Sequence, residues 1–169
     1  MSQTLDPSRG TAADEHANVA RVRAGARALG LAIEVRHFPA GTRTAQDAAE
    51  AVGCEVGAIV KSLIFAVDER VVLALVSGAN QLDEARLAAA AGGLTCRRVT
   101  ADEVRATTGY PIGGVPPIGL ATAVPEFLDE DLLTHDIVWA AAGTPHHVFS
   151  VTPTALAAAS GGWVGPLRR

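Results

Sequence analysis

Two apolar runs dominate the chain. Ile59 to Val67 and Val71 to Ser77 are apolar at nearly every position and are separated only by Asp68-Glu69-Arg70. Runs of this length joined by a short polar turn predict a β-hairpin. A strand with one solvated face would alternate apolar and polar residues. Neither run does, so the hairpin is expected to be central and covered on both faces.

The flanking pattern fills in the rest. Residues 1–12 are polar and carry Pro7 and Gly10, which predicts a loose arm, with one domain over 13–169. Ala13 to Leu29 reads as a helix stopped by Gly30, and Leu31 to Phe38 as a strand. Thr44 is the expected cap of a helix over Ala45 to Val52, ended by Gly53. After the hairpin come a helix from Leu82 to Ala91, a short strand from Leu94 to Val99, and a helix whose capping box is Thr100 with Glu103. Strands are then expected at Leu120 to Val124, Ile137 to Ala142 and His147 to Val151. A helical turn is expected at Asp129 to Leu133, a last helix from Thr152-Pro153 to Ala159, and a short terminal strand near Val164. Hairpins interrupted by helices predict a mixed α/β fold: a curved, barrel-like sheet of six or seven strands with helices outside.

One residue breaks the first apolar run. Lys61 is the only lysine in the chain, and the other thirteen basic residues are arginine. A lysine inside a buried strand either extends its head to the surface or points into a polar site. Two Gly/Pro loops complete the unusual features: Gly113-Gly114-Val115-Pro116-Pro117-Ile118-Gly119 and Gly143-Thr144-Pro145. Glycine lets backbone approach a ligand closely and proline pins loop shape, so such loops can aim N–H groups at a carbonyl oxygen.

Composition narrows the options. The 169 residues carry a formal net charge of −4, which argues against a strongly basic nucleic-acid binder while leaving room for local patches. Two cysteines, Cys54 and Cys96, are too few for a disulfide scaffold or a zinc cluster. No apolar stretch reaches the ~18 residues of a membrane span, and no signal peptide is legible, so a cytoplasmic protein is expected. Common catalytic motifs fail on single residues. Gly57-Ala58-Ile59-Val60-Lys61-Ser62 lacks the glycine that a phosphate-binding loop needs before its lysine, and Ser77 lacks a nucleophile elbow. His146 and His147 are adjacent, and neighbours on a strand face opposite ways, which does not suit a metal site. No metal or cofactor is expected.

Taken in order, Val52-Gly53-Cys54 through Lys61-Ser62-Leu63, Leu75-Val76-Ser77-Gly78, Thr108-Gly109-Tyr110-Pro111 through Gly119, and Ala141-Ala142-Gly143-Thr144-Pro145 resemble the YbaK/EbsC family, the prolyl-tRNA-synthetase-associated domain. The resemblance runs over about residues 20–165. It implies a free-standing aminoacyl-tRNA deacylase that clears alanine, serine or cysteine from mischarged tRNA, most often tRNA for proline, with a synthetase as a possible partner. DNA and membranes are not implied as partners. A second sieve of this kind answers a physical need, because one methylene gives a synthetase only ~1–3 kcal/mol of discrimination.

By matching position, the resemblance makes Lys61 the functional lysine and assigns Gly113, Gly114 and Pro117 to a Gly-x-x-x-Pro loop, with Gly143 in a second glycine turn. On that basis Lys61 is expected to anchor the tRNA 3′ end. Gly114 and Val115 amides are expected to stabilise the ester carbonyl, Gly113, Pro116, Pro117 and Gly143 to bind substrate with Val115, and His146 to orient water or line the pocket. Ala141 and Val148 replace a polar pair found in branches of the family that handle cysteine, which favours alanine or another small residue. Arg43, Arg97, Arg98 and Arg105 are the candidate tRNA contacts. The competing reading is a non-catalytic module that binds aminoacyl-tRNA ends or a synthetase.

Overall fold

In the computed structural model, which describes residues 12–169, the mixed α/β class expected from the sequence is what is found. The elements are α1 (Ala12–Ala28), β1 (Glu34–His37), α2 (Ala45–Val52), β2 (Val60–Val67), β3 (Arg70–Ser77), α3 (Glu84–Ala90), β4 (Cys96–Arg98), α4 (Ala101–Thr108), β5 (Glu126–Asp129), β6 (Val138–Ala141), β7 (His147–Val151), α5 (Pro153–Ala159) and β8 (Val164–Gly165). The arm expected over residues 1–12 falls outside the described residues except for Ala12, which already belongs to α1. Among the described residues, no helix is long and apolar enough to cross a membrane.

Among the described residues the strands number eight and divide between two sheets, in the orders β4-β2-β3-β5-β8 and β1-β7-β6. The hairpin β2–β3 lies at the centre of the larger sheet. Its turn places Asp68 and Glu69 at φ 46° and 67°, the paired positive values that match the twist of a tight hairpin. Alternate residues serve two cores, as the continuous apolar pattern requires. Val60, Ile64, Leu73 and Leu75 pack with Tyr110, Val115 and Ile118, while Phe65, Val67, Val72, Ala74 and Val76 pack with Leu82, Leu87 and Leu167. The smaller sheet meets the larger at a single parallel bridge, Ile59 with Trp139.

Local signals set the helix ends. Thr44 accepts from the Asp47 N–H at 3.0 Å, and Gly53 closes α2 at φ 77°. The Thr100/Glu103 capping box is formed on α4. The strand expected at Leu120 to Val124 is not there. In that segment Ala121 and Thr122 donate to the Thr108 and Thr107 carbonyls at the end of α4, and β5 starts only at Glu126, after Pro125. The competing partner is the C-terminal end of α4, whose last carbonyls need donors. β5 and β8 then pair in parallel, a crossover that no short-range pattern announces.

Glu126 is a misfit at the edge of this core. It opens β5 opposite Leu73, and its Oε2 is buried without a hydrogen-bond partner. Burial pushes its carboxyl up to about 8. The unfolded chain releases this proton near the ordinary glutamate value of ~4.3. Between the two values the folded state still holds a proton that the unfolded state has lost, so stability falls as pH rises through that window and then levels. Glu126→Gln is expected to flatten the dependence and to raise stability at pH 8 by on the order of 2 kcal/mol. Urea unfolding at pH 5 and pH 8 checks it, and equal slopes for both proteins would refute it.

Candidate active site

Lys61 stands on β2 opposite Val76, half-buried, and its Nζ donates to the Asn80 carbonyl. Burial lowers its pKa from the ordinary lysine value, and the Asp129 carboxylate works in the opposite sense. Asp129, at the end of β5, is fully buried. It accepts from the Ser77 N–H at 3.1 Å, the Asn80 Nδ2 at 2.8 Å and the Asp131 N–H at 3.1 Å. Asn80 Nδ2 also donates to Asp131 at 2.8 Å, and Arg168 lies 3.6 Å from Asp131. A buried carboxylate without a direct cation needs several donors, and this network supplies them. It also fixes Asn80, and through the Asn80 carbonyl the head of Lys61.

A cleft runs along β2 and has two lobes. Lys61, Ser62, Leu63, Ile112, Gly113 and Val115 line both. The first lobe, about 560 Å³, is bounded by Phe65, Gln81, Glu84, Arg98 and Arg169. The second, about 310 Å³, is bounded by Arg43, Ala48, Ile59, Trp139, Ala141 and Val148. The first sets two arginines and a glutamate among apolar residues, and the second is more uniformly apolar. Of the four arginines picked out from sequence, Arg43 and Arg98 reach the cleft. Arg97 is engaged with Glu69 at 3.1 Å and Glu103 at 3.3 Å, and Arg105 is exposed on α4 and lines neither lobe.

The two glycine loops pack on each other. A Cβ built on Gly114 would fall 2.9 Å from both Thr144 Cα and Thr144 N. One built on Gly143, at φ 98°, would fall 3.0 Å from the Asn18 carbonyl oxygen. Helix α1 straps both loops: Asn18 Nδ2 donates to the Gly143 carbonyl at 3.0 Å, and Arg21 donates to the Gly109 carbonyl at 3.0 Å while lying over the Tyr110 ring. Tyr110 closes its own loop by donating to the Gly119 carbonyl at 2.8 Å.

The residues expected from sequence thus separate into three groups. Lys61, Gly113 and Val115 line the cleft. Gly114, Pro116, Pro117 and Gly143 are buried behind it. His146 belongs elsewhere: its ring packs beside Gly41, its carbonyl accepts from the Phe38 N–H at 2.7 Å, and it lines neither lobe. The Gly114 N–H donates to the Pro111 carbonyl at 3.0 Å, which closes the turn below Gly113. Its amide is therefore committed, and Gly113 and Val115 are the loop positions that face the cleft. Ser62, Asn80, Ile112, Asp129, Trp139 and Arg169 went unnoticed in the sequence. Asp129 alone left a signal, a carboxylate directly after the apolar pair Phe127-Leu128.

Other chemistry is thin. Cys54 and Cys96 are free, and burial raises both thiol pKa values, so neither is an activated nucleophile. Among the described residues no three His, Cys, Asp or Glu side chains are grouped to hold a metal.

The aminoacyl-tRNA editing domain matches residues 39–159, and the chain belongs to that family. A crystal structure of a candidate trans-editing enzyme for prolyl tRNA synthetase superposes with a TM-score of 0.82 at 45% identity, over 98% of this chain and 99% of that one. A protein of Enterococcus faecalis named as a candidate Cys-tRNA(Pro)/Cys-tRNA(Cys) deacylase, EbsC, is 30% identical over 120 residues, 70% of this chain and 73% of its own length. A proline–tRNA ligase of Maridesulfovibrio salexigens is 35% identical over 94 residues, which are 56% of this chain and 16% of the ligase.

Proposed function

We propose that the cleft hydrolyses the ester of a mischarged aminoacyl-tRNA bearing a small amino acid, alanine foremost, with serine and cysteine as further substrates and tRNA for proline as the carrier. The observation that carries this reading is the division of the cleft at Lys61. The lobe with Arg98 and Arg169 suits the phosphates of a tRNA 3′ end, and the apolar lobe with Trp139, Ala141 and Val148 suits a short side chain. Lys61 sits where phosphate and ester would meet and acts as the anchor that holds the ester in place. The N–H groups of Gly113 and Val115 serve the developing oxyanion, a contribution of ~3–4 kcal/mol per donor. Water attacks the carbonyl, assisted by a hydroxyl of the terminal ribose. Free amino acid and tRNA leave, with the water proton passing to the ribose oxygen. Ala141 and Val148 offer no polar group to a thiol, which supports alanine over cysteine. A cytoplasmic site of action and a prolyl-tRNA synthetase partner belong to the same reading.

The test is release of labelled amino acid from a panel of mischarged tRNAs. Ala-tRNA for proline is expected to be cleaved fastest and correctly charged Pro-tRNA to be spared. Tight binding of the panel without release would favour the capture module instead.

A further inference from the structure

The edge of β2 is open at the cleft. Among the described residues β4 pairs with β2 only from Phe65 to Val67, and β6, which runs across the second lobe, is bridged to this edge only at Ile59–Trp139, just before β2 begins. Between those points no strand of the described residues pairs with the outer side. In an antiparallel strand the N–H and C=O of successive residues point to opposite sides. The Gly78 N–H donates to the Ile59 carbonyl and the Asp68 N–H to the Thr95 carbonyl, so odd residues of β2 face β3 and even residues face outward. Ser62 therefore presents both its N–H and its C=O to the cleft, at the centre of the open stretch and under the Ile112–Val115 roof. Its side-chain Oγ is buried and also has no hydrogen-bond partner. Buried polar groups are almost always paired, so an unpaired hydroxyl beside strand-edge groups that face the cleft points to a ligand.

We infer that Ser62 recognises the aminoacyl group as a one-residue strand. An aminoacyl ester carries an α-ammonium donor and a carbonyl acceptor on either side of its Cα, the same two-point pattern that a paired β-residue shows. The Ser62 C=O accepts from the α-ammonium, and the Ser62 N–H donates to the ester carbonyl. This is strand addition to a free edge, reduced to a single residue. The pairing fixes chirality as well: it sets an L side chain on the face that Ser62 occupies, below Val115, and turns a D side chain away from it. The inference deepens the deacylase reading and rests on it.

The test compares three esters of tRNA for proline: L-alanyl, propionyl, which lacks only the α-amino group, and D-alanyl. Each rate is divided by that ester's own spontaneous hydrolysis, because the ammonium group itself makes an ester labile. The protein's acceleration of the propionyl and D-alanyl esters is expected to be at least about 100-fold below that of the L-alanyl ester. Ser62→Pro removes the outward N–H at an open edge, where proline does not cut the β3 ladder, and is expected to lose at least about 100-fold. Ser62→Ala keeps both backbone groups and is expected to lose less than about tenfold. If Ser62→Pro fails to fold by circular dichroism, the ester comparison decides with the natural protein alone. Equal accelerations for all three esters overturn the inference and leave the deacylase standing. No release from any mischarged tRNA overturns both.

Discussion

Lys61→Ala is expected to lower deacylation of Ala-tRNA by about 100-fold in kcat/KM while leaving the fold intact. The size follows from the loss of one charge-assisted contact to a phosphate, worth ~1.5–3 kcal/mol, at a site where misplacement also costs rate. The fold should tolerate the change because Lys61 has no ion-pair partner within contact distance among the described residues. Its protein contact is a backbone carbonyl, and removing a half-buried ammonium relieves desolvation. Unfolding free energies of the two proteins should agree within ~1 kcal/mol. Lys61→Arg is a sharper probe. The planar guanidinium cannot present one compact charge in the slot between Asn80 and the loop, so most of the activity should stay lost even though the charge is restored. Wild-type turnover by Lys61→Ala would remove the lysine from the mechanism. The pH profile is a further check: because burial favours the neutral amine, activity should fall on the alkaline side at a lower pH than an ordinary lysine would give.

Gly114→Val is expected to damage both stability and activity. The new side chain would start 2.9 Å from Thr144 Cα and N and 3.0 Å from the Gly143 carbonyl carbon, all of them backbone atoms that cannot swing aside. Overpacking of this kind costs ~1–3 kcal/mol, or ~3–10 °C in melting temperature for a chain of this size. The two loops must separate, and Gly113 and Val115 move with them. Deacylation should therefore fall by far more than the folded fraction does, when both are measured at a temperature where the variant remains folded. Gly114→Ala serves if the valine variant does not fold. A variant with wild-type melting temperature and rate would show that the loops are not in contact in the working protein.

These two sites show how differently the residues advertised themselves. Lys61 was legible because a charge inside an apolar strand is costly anywhere, whatever surrounds it. Gly114 was legible as one of a loop's glycines, but the fold gives its amide another partner, the Pro111 carbonyl. Gly114 lets the Gly143–Thr144 backbone pass at contact distance. His146 looked suitable by type and by its place after a glycine turn, and the fold turns it toward Gly41 instead. The expected strand at Leu120 to Val124 failed for a related reason: the backbone N–H groups of Ala121 and Thr122 found a helix end, not a sheet edge, as their partner.

By itself the sequence determined what depends on neighbours along the chain. That covers the β2–β3 hairpin and its two buried faces, the caps at Thr44, Thr100 and Gly53, and the oddity of Lys61. These are local steric and solvation preferences that repeat in any fold. Tertiary structure alone decided which distant groups meet: the Asn80–Asp129–Asp131 network behind Lys61, the two glycine loops clasped under α1, and the open edge at Ser62. Such contacts depend on crossover connections and on where one strand's pairing stops. Nothing within a few residues of Ser62 or Asp129 encodes that.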